Sequence, residues 1–238
     1  MGLDRNDPIA LARDFLTFQK ELGVVDVPIP SRSPSPSTTQ VAGTGPSSEN
    51  PSEASTLEAF EVQVKICRAC RLCDGRNHVV FGSGNPNADV MFVGEAPGRE
   101  EDLQGLPFIG AAGDLLTKMI AGIKLRREDV YITNVIKCRP PGNRDPQVDE
   151  IQQCEPYLLR QIAFIQPTVI CTLGRFAAQT LLKSTDSMGR LRGKVYDYNG
   201  IKLIPTYHPA ALLRNPQWKR PTWEDLKLLR LEYDGLQL

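Results

Sequence analysis

The chain has 238 residues, 41% of them hydrophobic and 24% charged, and its 28 basic and 28 acidic side chains leave no formal net charge. That length suits one domain of about 180 residues plus appendages, and six cysteines are too few for a small disulfide-stapled fold. No stretch approaches the roughly 20 apolar residues that span a bilayer, and Met1 to Asp7 lacks the basic-then-apolar order of a signal peptide, so a cytoplasmic protein with reduced thiols and no membrane partner is expected.

Charge is unevenly spread. Residues 1–60 carry four basic and eight acidic side chains, which leaves a small positive excess over the rest; this permits a nucleic-acid partner without requiring one. Near the start, Ile9, Leu11, Ala12, Phe15, Leu16 and Leu22 recur at helical spacing behind Asp7 as N-cap, which predicts an amphipathic helix within residues 1–23. It would serve a protein partner or dock on the main domain. Residues 24–55 turn to Ser, Pro, Thr and Gly, a composition that cannot bury enough apolar surface to offset chain entropy. A disordered linker is expected there, and residues 56–238 form the main domain.

That domain opens with a helical pattern over TLEAFEVQVKI and then alternates. Strands are predicted at Asp89 to Val93, Asp129 to Thr133, Thr168 to Leu173 and Lys202 to Thr206. Between and after them come helices at Gly113 to Ile123, Gln147 to Phe164, Arg175 to Leu182 and from Thr222 onward. The expected class is α/β: three α/β/α layers around a central, mainly parallel four-stranded sheet. In such sheets the site lies beyond the carboxyl ends of the strands.

Cys67-x2-Cys70 and Cys138-x15-Cys154 are two spaced pairs able to close one tetrahedral thiolate site. Cys70-x2-Cys73 overlaps the first pair, so spacing alone does not choose between Cys67, Cys70 and Cys73. Zinc and an iron–sulfur cluster are both open on composition. Cys171, inside a predicted strand, reads as a core residue, and His78 as a surface one.

Three segments follow three different strands: GEAPGREEDLQGLPFIGAAG from Gly94, TNVIKCRPPGNR from Thr133 and TYHPAALLRNP from Thr206. Glycines in the first allow a ligand close to the backbone, and it matches neither a P-loop nor a dinucleotide fingerprint. Taken one at a time, Phe108 suits core packing, Asn134 a strand-end cap and His208 a turn.

Together with CRACRL, VVFGSGNPNADVMFVGEAPG and YITNVIKCRPPGNRDP, these segments resemble the type-4 uracil-DNA glycosylases, the family that carries a four-iron cluster. The resemblance runs from about Leu57 to near the C-terminus. It implies hydrolysis of the N-glycosidic bond of deoxyuridine in DNA, which releases uracil and begins base-excision repair. It further implies a [4Fe–4S] cluster on Cys67, Cys70, Cys138 and Cys154, with zinc the alternative, and uracil held by Gly94, Glu95, Ala96, Phe108, Asn134 and His208. Within that set His208 donates to uracil O2, Asn134 pairs with N3 and O4, Phe108 stacks on the flipped base and Glu95 positions water or the sugar. Leu212 and Leu213 are candidates to wedge into the duplex, and Arg214 to hold a phosphate. Ala96 stands where some glycosylase families place an aspartate, so a strong general base is not evident and Glu95 assists a largely dissociative reaction. CRPPGNRDP lacks the histidine-bearing, Arg-rich insertion of relatives that trap DNA covalently, so turnover by a monomer is expected. The competing reading is a non-catalytic, metal-stabilised nucleic-acid-binding protein.

Overall fold

The computed structural model describes residues 54–236. The helix expected within 1–23, and all but the last two residues of 24–55, lie outside the described residues. Packing includes Ala54, which is buried and whose carbonyl accepts from Arg160 Nη2 at 2.6 Å.

Helix α1 (Leu57–Lys65) starts where the Thr56 side chain accepts from Ala59 N, and it buries Phe60 and Val64. The two-residue β1 (Ser83–Gly84) precedes β2 (Val90–Gly94), α2 (Arg99–Gln104), α3 (Ala111–Gly122) and β3 (Tyr131–Asn134). Then follow α4 (Val148–Ile165), β4 (Val169–Leu173), α5 (Arg175–Leu182), α6 (Met188–Leu191), β5 (Tyr196–Tyr198), β6 (Ile201–Thr206), α7 (Pro209–Arg214) and α8 (Lys219–Gly235).

The sheet corrects the expected strand count. It has six strands in the order β1-β3-β2-β4-β6-β5. The four predicted strands are its mutually parallel centre, and β1 and β5 add antiparallel edges. The edges escape periodicity because two or three residues make no pattern. The four-residue β3 and five-residue β2 and β4 are buried along their whole length, as a sheet covered on both faces demands. Successive residues serve opposite layers: Met91, Val93, Ile170 and Leu203 join Phe60, Leu158 and Ile162 on one side, while Phe92, Ile132, Cys171 and Ile204 join Leu116, Ile120 and Leu226 on the other. That alternation is the three-layer α/β/α arrangement. Among the described residues no helix is long and apolar enough to cross a membrane.

Parallel register brings the strand ends together. Gly94 stands opposite Asn134, and Leu173 opposite Thr206. Beyond the ends the loops stay paired: Val135 N donates to Gly94 O at 2.9 Å, Ile136 N to Glu95 O at 3.1 Å and Gly174 N to Thr206 O at 2.8 Å. Three expected site segments thus leave one sheet edge side by side.

Candidate active site and metal centre

A cleft of about 330 Å³ opens at that edge, lined by Glu95, Ala96, Phe108, Asn134, His208 and Arg214, and by Glu101, Asn143, Arg144 and Asp145. Gly94, outside that lining, is buried at the end of β2 against Asn134 and Phe108. A Cβ at position 94 would stand 2.3 Å from Asn134 Oδ1 and 2.5 Å from Phe108 Cζ, so only glycine lets the carboxamide and the ring converge there. Asn134 is buried, and its Oδ1 has no hydrogen-bond partner. A buried acceptor without a partner costs about 1–3 kcal/mol, and this one belongs to a residue of the cleft lining, where a ligand donor can meet it.

Phe108 is held in an uncommon backbone conformation, φ 52°. The loop around it is clamped on both sides: Glu101 Oε1 accepts from Ile109 N at 3.0 Å and Gly110 N at 3.1 Å, and Arg127 Nη2 donates to Pro107 O at 2.7 Å. Gly113 permits the approach, since a Cβ there would sit 1.9 Å from the Phe108 carbonyl oxygen. The Phe108 ring lies 5.4 Å from that of His208, centroid to centroid, at 33°.

His208 caps α7, its Nδ1 accepting from Ala210 N at 3.2 Å. This assigns the tautomer: with Nδ1 as acceptor, Nε2 carries the proton of the neutral ring. Burial, and secondarily the Arg214 charge, push the imidazole down to about 4, with Glu101 opposing. At neutral pH the cleft therefore contains an uncharged N–H donor. Glu95 is shifted the other way. Burial, aided by the nearby Asp145 charge, raises it to about 7 against the pull of Arg175 and Arg214.

The two leucines separate. Leu212 is 1% exposed and packs into the core, whereas Leu213 is 48% exposed. On a six-residue helix, neighbouring side chains point about 100° apart, so one faces the sheet and the other solvent. Of the two candidate wedge residues, the structure leaves Leu213 exposed and Leu212 covered. Arg214, at the end of α7, reaches the cleft wall.

All four cysteines of the expected set line one cavity, with Val64, Arg76, Lys137 and Tyr157. Cys67 and Cys70 come from the loop after α1, Cys138 from the loop after β3, and Cys154 from α4. Polar hydrogens surround the sulfurs: Lys137 N donates to Cys154 Sγ at 3.2 Å, Arg76 Nη1 to Cys138 Sγ at 3.3 Å and Ala69 N to Cys67 Sγ at 3.4 Å. Tyr157 Oη lies 3.1 Å from Cys67 Sγ. Burial pushes the Cys154 thiol up to about 12 and raises Cys138 and Cys70, so a bound cation is what would favour the thiolate form of these three. Among the described residues no three Cys, His, Asp or Glu side chains close on a single point as they would around one ion. Four cysteine sulfurs around one cavity are a donor set suited to a thiolate-bound metal group. Cys73 is outside the cavity lining, its Sγ turned to Asp74 Oδ1. His78 is exposed and Cys171 is buried among core residues.

Sequence reasoning assigned no role to Arg144, Asp145 or Arg175. Arg144 grips the fully covered Glu150, Nη1 to Oε2 at 2.8 Å and Nη2 to Oε1 at 2.6 Å. Arg71, next to Cys70, also donates to Glu150, at 3.1 Å. One carboxylate therefore ties the cleft wall to the cysteine loop, and these contacts hold it down at about 2. Arg175, at the start of α5, pairs with Asp145 at 3.1 Å. Its only sequence signal was its place just after a predicted strand.

The sequence profile of the uracil DNA glycosylase superfamily matches residues 81–227. The chain is 51% identical to a type-4 uracil-DNA glycosylase of Archaeoglobus fulgidus over 72% of its own length and 90% of the relative's. It is 48% identical to the type-4 enzyme of Saccharolobus solfataricus, covering 73% and 85% of the two chains, and 45% identical to that of Thermotoga maritima, covering 72% and 91%. The matched span holds every segment that builds the cleft, and the chain belongs to the type-4 family of the uracil-DNA glycosylase superfamily.

Proposed function

We infer that this protein is a uracil-DNA glycosylase that hydrolyses the N-glycosidic bond of deoxyuridine in DNA, releasing uracil and leaving an abasic site for base-excision repair. The observation that carries the reading is the empty, buried Asn134 Oδ1 beside Phe108 and the neutral His208 donor. Uracil offers an N3–H to an acceptor and its O4 to a donor, so one carboxamide pairs with both atoms, whereas cytosine presents the opposite pattern. Phe108 supplies the stacking face. In the reaction the C1′–N1 bond breaks with its electron pair going to uracil, and positive charge builds on the sugar. His208 Nε2–H donates to the O2 on which negative charge accumulates. A water oxygen then bonds to C1′, and its proton passes to Glu95 or to solvent. Glu95 near pH 7 is partly ionised, which suits it to orient that water and offset the sugar's charge.

Leu213, exposed beside the cleft, serves as the wedge that fills the gap left by the flipped base, and Arg214 binds an adjacent phosphate. Cys67, Cys70, Cys138 and Cys154 hold a [4Fe–4S] cluster. The preference for a cluster over zinc comes from membership of the type-4 family, and the four cysteines that would hold it line one cavity. When bound, it supplies a structural crosslink between α1, the loop after β3 and α4. The reading carries with it a cytoplasmic protein, since reduced cysteines are what such a ligand set requires; a monomeric state and a protein partner for the segment within residues 1–23 are proposed with it. The test is uracil release from an oligonucleotide containing a single deoxyuridine, scored by alkaline cleavage. Scission by the intact protein, slowed about a hundredfold or more in His208→Ala, is expected. Binding of that DNA without scission by metal-replete protein would leave the non-catalytic reading in its place.

A further inference from the structure

Lys137 is 1% exposed, and among the described residues it pairs with no carboxylate. Its ammonium instead meets three neutral acceptors: Asn134 O at 2.6 Å, Thr133 Oγ1 at 2.7 Å and Gln161 Oε1 at 2.5 Å. All three of its donors are thereby used. Gln161, on α4, passes the connection on through Nε2 to Phe81 O at 2.9 Å, and Thr133 Oγ1 donates to the same carbonyl at 2.7 Å. A buried ammonium is expensive, and an unbranched apolar side chain would fill the same space at lower cost. What the lysine adds is geometry. It fastens the carbonyl of Asn134, the last residue of β3, to the sheet and α4. Because the Asn134 Oδ1 has no partner of its own, the aim of its carboxamide depends on the main chain that carries it and on packing against Gly94 and Phe108. The backbone N–H of Lys137 donates to Cys154 Sγ at 3.2 Å, so this lysine's side chain and amide span from the cysteine cavity to the residue that lines the cleft.

We propose that Lys137 is a positioning residue for base recognition, holding the Asn134 main chain so that its carboxamide presents to the base. The proposal rests on the reading of Asn134 as the residue that pairs with uracil. It is tested in the full-length, metal-replete protein by a double-mutant cycle of Lys137→Met and Asn134→Ala, read as single-turnover uracil excision, with iron content and visible absorption measured on each variant. Lys137→Met is expected to slow excision about tenfold or more when Asn134 is present and less than about twofold in the Asn134→Ala background, with iron content unchanged. Lys137→Gln keeps a donor one bond short of the original. It is expected to excise faster than Lys137→Met while melting at no higher temperature, an ordering that a merely structural lysine would not produce, and it replaces the Met variant in the cycle if that variant does not fold. Equal losses in both backgrounds would overturn the proposal, as would activity that simply follows iron content. An Asn134→Ala protein with undiminished excision would instead sink the underlying reading of Asn134.

Discussion

At His208, the proton inventory determines the chemistry. Its Nδ1 is occupied by Ala210 N, and burial holds the ring neutral down to about pH 4, so the donor is Nε2–H throughout the physiological range. Removing it with His208→Ala is expected to lower the single-turnover rate by about 10²–10³-fold, measured with protein in excess over a single-deoxyuridine oligonucleotide. Glu95 gives a pH signature of opposite sense. With its carboxyl raised to about 7, the rate should climb as pH rises through 7 in the wild type and lose that limb in Glu95→Gln. The same shift has a stability consequence. The folded protein binds this proton more tightly than the unfolded chain, so the group's contribution is full below its ordinary pKa of 4.5 and is lost as pH rises through about 7. Glu95→Gln should therefore melt at a higher temperature than the wild type at pH 8 and close to it at pH 5, as followed by calorimetry. Both residues were legible as site candidates from the loops they occupy, but their protonation was not, because burial and the neighbours Asp145, Arg175 and Arg214 come from other segments.

Elements fix where these residues meet. Gly94 ends β2 directly opposite Asn134 at the end of β3, and the pairing leaves no room for a methyl group. Gly94→Ala is expected to abolish measurable excision while costing about 1–3 kcal/mol of stability, a split visible by comparing turnover with urea denaturation. Glu150 plays the corresponding role at the start of α4, where it accepts from Arg144, Arg71 and Gln147 N. Its carboxyl, held at about 2 against an ordinary 4.5, contributes stability that is present above 4.5 and lost as pH falls through 2. Glu150→Gln should cost about 1.5–3 kcal/mol at pH 7, with the difference from wild type narrowing in acid denaturation. The central strands were readable because burial on both faces leaves continuous apolar runs. The hairpin of β5 and β6 was readable too, though unread: Asn199-Gly200 has φ values of 53° and 83°, the positive pair a two-residue Asn-Gly turn needs. Strand β1 left no such trace, since it exists only because Ser83 and Gly84 find Ile132 and Tyr131.

Across the whole domain, the cysteine cavity joins α1, the loop after β3 and α4, three segments otherwise linked through the core. Oxidative removal of the proposed cluster with chelation is expected to bleach the protein and lower its melting temperature, because the thiolates would lose the cation that makes them stable; calorimetry alongside iron analysis checks it. The sequence alone determined the alternation of helix and strand, the four central strands, the pairing of cysteine segments and the three loops that carry Glu95, Phe108, Asn134 and His208. Each of these is written in spacing or local periodicity, which the chain carries before it folds. The tertiary structure decided that Leu212 is buried while Leu213 faces solvent, that Cys73 stays off the cavity wall, that Asn134 Oδ1 is left empty and that Lys137 reaches Gln161. These depend on which distant segments become neighbours, and no local pattern encodes the direction of a side chain toward a partner supplied from elsewhere in the chain.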